Sequence, residues 1–214
     1  MSAASQYPVL IVVIPFVGAF VTILAGYINH RLNQPLTILI LAGSTWCAIQ
    51  TLGQVIASGP IHYHLGNWPP PFGIEYVVDH LNGLVLVVIC VIGLLASIAS
   101  GKSLEKELPT RTTLFYGLYL LLMTGLLGMT ITGDAFNLYV LLEISALTTY
   151  ALVAVGQERA LLASFNYVML GTIGASFYLL GVGHLYIMTG ALNMADLAEL
   201  LPAKIKIVRG WFRR

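Results

Sequence analysis

An acidic side chain inside an apolar run carries the chemistry of this sequence. Glu143 stands in Asn137-Leu-Tyr-Val-Leu-Leu-Glu143-Ile-Ser-Ala-Leu-Thr-Thr-Tyr150, with apolar neighbours on both sides. At 100° per residue, Tyr139 and Tyr150 fall within about 40° of it, so two phenols flank one carboxylate on a single helical stripe. Such a stripe must face protein or water. A carboxyl withdrawn from bulk water titrates closer to neutrality and can take up and release a proton there. The plainer alternative is a structural Glu paired permanently with a cation on another helix.

His184 is the second candidate. It lies 18 residues, five helical turns, from Asn166, so the two point the same way but stand roughly 27 Å apart along the axis. Ile173, Phe177 and Leu180 share the face between them, so a polar relay along it needs a bridge from another helix. Asp134 follows Gly133 and Asp79 follows Val78, each just before an apolar run, and both read as helix N-caps. His62 and His64 are two apart in an extended stretch and share a face; they read as solvated or packed loop histidines, because no further metal ligands stand near them in sequence. Cys47 and Cys90 each sit in an apolar run and read as small core residues. Gly174 and Gly181, with Gly171 and Ala175 on neighbouring faces, suit close helix approach. There is no phosphate-cradling Gly loop, no Ser/His/Asp set, and no Cys/His pattern for haem, iron–sulfur or zinc. No cofactor and no metal are expected.

The elements that position these residues follow from composition. Of 214 residues, 58% are hydrophobic and only 9% charged, against about 25% charged in an average soluble domain. The solvent is therefore largely lipid. A net charge of +1 without a long basic run argues against nucleic-acid binding. Charge-free runs bounded by Gly, Pro and charged residues predict six spanning helices at about 8–29, 36–57, 81–100, 113–131, 136–155 and 162–188. The first is too long for a signal-peptide core and lacks a preceding Lys or Arg; Pro15 is expected to kink its early turns. The segment from His62 to Asp79 alternates on both sides of a Gly/Pro-rich centre and predicts a small hairpin between the second and third helices. The expected fold is an all-α integral membrane bundle over residues 1–200 with a basic amphipathic tail at 201–214.

Threading six spans puts Arg31, Lys102, Lys106, Arg111 and Arg159 on one side, while 58–80 and 132–135 contain no Lys or Arg. The positive-inside rule makes the first side cytoplasmic, with the amino terminus and the hairpin outside. The tail, with Lys204, Lys206, Arg209, Arg213 and Arg214, disagrees. Either it re-enters, or it lies on the surface with Trp211 and Phe212 at the headgroups, or it leads on to further chain.

Three motifs in order, Gly133-Asp-Ala-Phe-Asn-Leu-Tyr-Val-Leu-Leu-Glu143, Leu65-Gly-Asn-Trp-Pro-Pro-Pro-Phe-Gly-Ile74 with Val78-Asp79, and Leu185-Tyr-Ile-Met-Thr-Gly-Ala-Leu-Asn-Met-Ala-Asp196, resemble the D subunit of Mrp-type multi-subunit Na⁺/H⁺ antiporters. That protein is similar to the antiporter-like subunits of respiratory complex I and membrane-bound hydrogenases. The resemblance, over about residues 8 to 200, implies that Glu143 occupies the position of a key proton-path residue and that the amino terminus is outside. Two departures accompany it. Where family members have a Lys early in the sixth span, this sequence has Asn166 before Tyr167, and a neutral amide cannot bias the Glu electrostatically. Family members also have about fourteen spans in two inverted repeats, and half of such a transporter needs a second polypeptide to supply the other access route. The chain is then expected to be either a naturally split subunit or the product of a shortened gene with no transport activity.

The leading expectation is an antiporter-like subunit of a multi-protein complex in the cell membrane. It contributes a proton half-channel through Glu143, with Tyr139, Tyr150, His184 and Asn166 as further relay groups, H⁺ and Na⁺ as transported ions, and other membrane subunits as partners. The rival readings are a non-conducting scaffold in a hydrogenase or quinone-reductase membrane arm, and a small transporter working as a homo-oligomer.

Overall fold

A computed structural model describes residues 6–108, 111–156 and 159–211, without the side chains of 102, 105, 203 and 205–211. Among the described residues seven α-helices form: α1 (Tyr7–Ile28), α2 (Asn33–Ser58), α3 (His80–Glu107), α4 (Thr112–Ile131), α5 (Ala135–Ala154), α6 (Ala160–Thr189) and α7 (Met194–Trp211). The first six are long and apolar enough to cross a membrane. Their ends fall within a few residues of the expected spans, except that α3 runs on to Glu107. Its extension, Ser103-Leu-Glu-Lys-Glu107, consists of good helix formers, which carry the helix past its apolar stretch. α1 continues through Pro15 as one helix, with Pro15 buried. The expected tail begins inside α7, and its residues 212–214 lie outside the described residues.

Helices α1 to α4 pack as a ring, α1 on α2 and α4, and α3 on α2 and α4; α5 lies against α4, and α6 against α5. Half of the α4 span is buried but only 11% of the α6 span, so α4 is the centre and α6 the periphery. Leu120, Leu127, Ile131 and Tyr116 of α4 are fully or almost fully buried, with Ile11, Leu41, Val55 and Leu86 from its neighbours. Cys47 and Cys90 are free and buried in the same core, as expected.

The hairpin also forms, as β1 (Ile61–His64) and β2 (Glu75–Val78), antiparallel with His64 opposite Glu75. The chain between them folds back so tightly that a Cβ on Gly73 would strike the Trp68 carbonyl. β2 is extended by two further strips of chain. Tyr76 bridges Thr132, and Gly133 N–H donates to the Glu75 carbonyl at 2.8 Å. Asp134 in turn bridges Asn193, with Ala135 N–H donating to the Leu192 carbonyl and Met194 N–H to the Gly133 carbonyl, both at 2.9 Å. The hairpin, the α4–α5 connection and the α6–α7 turn thus form one ladder across one end of the bundle.

Candidate functional site

Asp134 starts α5 as its N-cap, accepting from the Asn137 N–H at 2.7 Å. Glu143 lies nine residues further on, about 13 Å along the axis by helical rise. Leu141, Ser145 and Thr148 turn towards α4 and are buried, whereas Phe136, Val140 and Leu147 are exposed. Glu143 falls at the edge of that exposed strip and is half-buried. It makes no hydrogen bond or ion pair with any described residue. The permanently paired structural Glu is therefore not seen among the described residues.

The stripe expected around Glu143 is present, and it borders α6. Tyr139 stacks on Tyr178 of α6, ring centroids 6.3 Å apart and planes 7° off parallel, and the Tyr178 hydroxyl donates to the Ala135 carbonyl at 3.1 Å. Tyr150 is buried and meets Tyr167 edge to face at 4.7 Å. Its hydroxyl presses on Gly171, where any side chain would collide with it. Tyr150 also lies within electrostatic reach of Glu143. Between the two aromatic pairs, α4, α5 and α6 border an open cleft of about 370 Å³, lined by Met129, Leu142, Ser145, Thr149, Tyr150 and Tyr178 among others. Its walls are mostly apolar, with the hydroxyls of Ser145, Thr149, Tyr150, Tyr167 and Tyr178 as the polar groups.

The two α6 candidates do not join this group. His184 is exposed, and its Nδ1 donates to the Leu180 carbonyl of its own helix at 2.8 Å. Asn166 is exposed as well. Gly174 and Gly181 have nothing within 4 Å of where a Cβ would be, so the expected close helix approach does not occur there; α6 is packed on one side only. Gly171 does sit in close contact, but with a phenol rather than a helix backbone.

Sequence reasoning missed Glu75. It is 7% exposed, and it gathers both hairpin histidines. His62 Nδ1 donates to Glu75 Oε1 at 2.7 Å, His64 Nε2 lies 3.5 Å from the same oxygen, and Asn193 Nδ2 donates to Oε2 at 2.7 Å. Burial pushes the Glu75 carboxyl up, but the bonds from His62 and Asn193 and the charges of the two imidazoles outweigh it and hold the group below the usual carboxylate value. At Asp134 the balance reverses. Burial pushes it up, and the Asn137 and Phe136 N–H groups offset only part of that. His62 and His64 are thus loop histidines, exposed to solvent on one side and held to Glu75 on the other. The cross-strand register could have suggested His64 and Glu75; nothing local pointed to Asn193, 118 positions away. No group of three or more His, Cys, Asp or Glu able to hold a metal occurs among the described residues.

Residues 132–211 match the family described as NADH:quinone oxidoreductase/Mrp antiporter, transmembrane. The chain is 45% identical over 206 residues to the N subunit of the NADH-quinone oxidoreductase of Desulforudis audaxviator, covering 92% of this chain and 40% of that protein. It is 31% identical over 192 residues to the D subunit of the Na⁺/H⁺ antiporter of Alkalihalophilus pseudofirmus, covering 89% of this chain and 38% of that one. Its fold superposes with a TM-score of 0.85, at 38% identity, on a chain of the archaeal membrane-bound sulfane sulfur reductase, over 91% of this chain and 40% of the other. The chain spans about two fifths of the length of these relatives. With its six apolar helices and the motif that carries Glu143, it belongs to the antiporter-like membrane-subunit family shared by NADH:quinone oxidoreductases and Mrp antiporters.

Proposed function

We propose that this chain contributes a proton half-channel to a multi-subunit cation/proton antiporter or proton-pumping complex, with Glu143 as the group that accepts and releases the proton. One observation carries this reading: a carboxyl well inside a spanning helix with no described ion-pair or hydrogen-bond partner. Holding such a group in a bilayer costs about 2.5–3.5 kcal/mol, so it is kept for what it does rather than for stability. Tyr139 and Tyr150 border it on the α6 side, and the cleft beside Tyr150 adds the hydroxyls of Ser145, Thr149 and Tyr178. His184 and Asn166 lie on the uncovered face of α6 and join the relay only through a helix packed over that face. Such a helix belongs to the rest of the complex. H⁺ is the transported ion, with Na⁺ as the coupled one, and the complex sits in the cell membrane with the amino terminus of this chain outside.

The test is Glu143→Gln in the assembled complex. Exchange driven by a pH gradient should vanish while assembly, measured by co-purification of the other membrane subunits, stays intact. Normal exchange would refute the role. The scaffold reading is favoured by the open small-residue face of α6, where Gly174 and Gly181 have nothing near them. It predicts the reverse pattern: Glu143→Gln is silent, and Gly174→Leu with Gly181→Leu breaks up the complex.

A further inference from the structure

We infer that His62, His64 and Glu75 form a proton-collecting site at the mouth of the path to Glu143, loading protons from the aqueous phase on the hairpin side. The inference rests on Glu143 as the acceptor inside the membrane.

The arrangement has the parts such a site needs. Two imidazoles, with side chains 58% and 38% exposed, stand over a carboxylate whose side chain is 9% exposed. Imidazole is the side chain that exchanges protons with water between about pH 5 and 8, and the buried carboxylate gives an arriving proton a counter-charge. Among the described residues these two imidazoles are the only cations within ion-pair reach of Glu75. The negative charge is therefore balanced by protons or not at all. The remaining faces of Glu75 are neutral: Asn193 donates to its other oxygen, and Gly133 N–H to its backbone carbonyl.

The placement gives the site a direction. Asn193 joins Glu75 to Asp134, since its side chain binds Glu75 and its backbone pairs with Asp134. Asp134 caps α5, the helix that carries Glu143 about 13 Å further in. Tyr178 and Tyr139 stand along that interval. The two carboxyls also differ in the sense of their shifts, Glu75 below and Asp134 above its ordinary value. Burial thus favours the neutral, proton-carrying form of Asp134, whereas the imidazoles and Asn193 favour the charged form of Glu75 that draws protons to the surface site.

The experiment uses the native complex reconstituted in vesicles, with exchange followed by a pH-sensitive dye in sparse and in concentrated buffer. His62→Asn with His64→Asn keeps Glu75 and its Asn193 bond, so the ladder stays assembled; Glu75→Gln is the second variant. Both should slow exchange in sparse buffer, on the order of tenfold, because a positioned proton carrier has been lost. Concentrated imidazole on the hairpin side should restore the rate, and imidazole on the opposite side should not. Glu143→Gln should stay inactive at every imidazole concentration. If Glu143→Gln abolishes exchange while the hairpin variants keep the normal rate and pH profile in sparse buffer, the collecting site is refuted and the role of Glu143 stands. Slowed variants that imidazole fails to restore show a structural hairpin and also overturn the inference.

Discussion

Gly125 sets how close α4 and α5 come, and so how α5 is turned about its own axis. A Cβ placed there would lie 2.8 Å from Ser145 Cβ, 2.8 Å from Ser145 N and 2.9 Å from Leu141 O. Carbon contacts settle at about 3.5–4.0 Å, so the shortfall is about 0.7 Å. Two of the three atoms belong to the α5 backbone, and no rotamer change relieves them. Gly125→Ala therefore forces α5 away from α4. Overpacking of this kind costs about 1–3 kcal/mol, while replacing a helical Gly with Ala returns about 1 kcal/mol of propensity. Gly53 of α2 separates the two effects, because it is exposed and has nothing within 4 Å of its would-be Cβ. Gly53→Ala should gain about 1 kcal/mol, and the difference between the two variants should be the packing cost alone, about 1–3 kcal/mol. Unfolding of the detergent-solubilised chain by SDS, followed by helical circular dichroism, measures both. Equal stabilisation in the two variants would refute the close α4–α5 contact and, with it, the rotation that places Glu143 at the edge of the exposed strip.

Thr22→Val should stabilise the chain by about 1 kcal/mol, since the Thr22 hydroxyl is fully buried with no partner among the described residues and valine keeps the shape while removing the orphaned group; the same unfolding measurement checks it, and a loss of stability would mean the hydroxyl is bonded. Glu75 should make the ladder acid-labile. Its folded value lies below the ordinary 4.5, so its contribution is complete above that pH and disappears as the pH falls through the lowered value. Hydrogen exchange in residues 61–78 should rise over that range, and Glu75→Gln should remove the step; an unchanged step would assign it to another group.

Local features were legible in the sequence because local physics sets them. Six apolar runs gave six spans, and alternation about a Gly/Pro centre gave the hairpin. Asp79 caps α3 by accepting from Leu81 and Asn82 N–H, each at 2.8 Å, and Asp134 caps α5, as their positions before apolar runs required. The Tyr139–Glu143–Tyr150 stripe needed only the 3.6-residue period. What stayed hidden depends on which helices meet. The period puts Asn166 and His184 on one face but cannot say that nothing covers it, so their expected part in the site was not met within this chain. The match between Gly171 and Tyr150, and the bond from Asn193 to Glu75, join elements that only the assembled bundle brings together.

The unpaired state of Glu143 has a consequence that separates function from stability at a single position. A carboxyl at the rim of the exposed strip costs the isolated chain up to about 2.5–3.5 kcal/mol, and its partial burial leaves only part of that to be recovered, about 1–2 kcal/mol. Glu143→Leu keeps the helix-forming tendency and matches Val140 and Leu147 beside it. The variant should therefore unfold at higher SDS in the isolated chain, by an amount equivalent to about 1–2 kcal/mol, while exchange by the assembled complex is lost. A residue retained for proton transfer shows this opposition; a residue retained for packing shows loss on both counts. If Glu143→Leu weakened the isolated chain, the carboxyl would have to be held by favourable partners inside it, and an acceptor waiting for a proton would be the wrong description of Glu143.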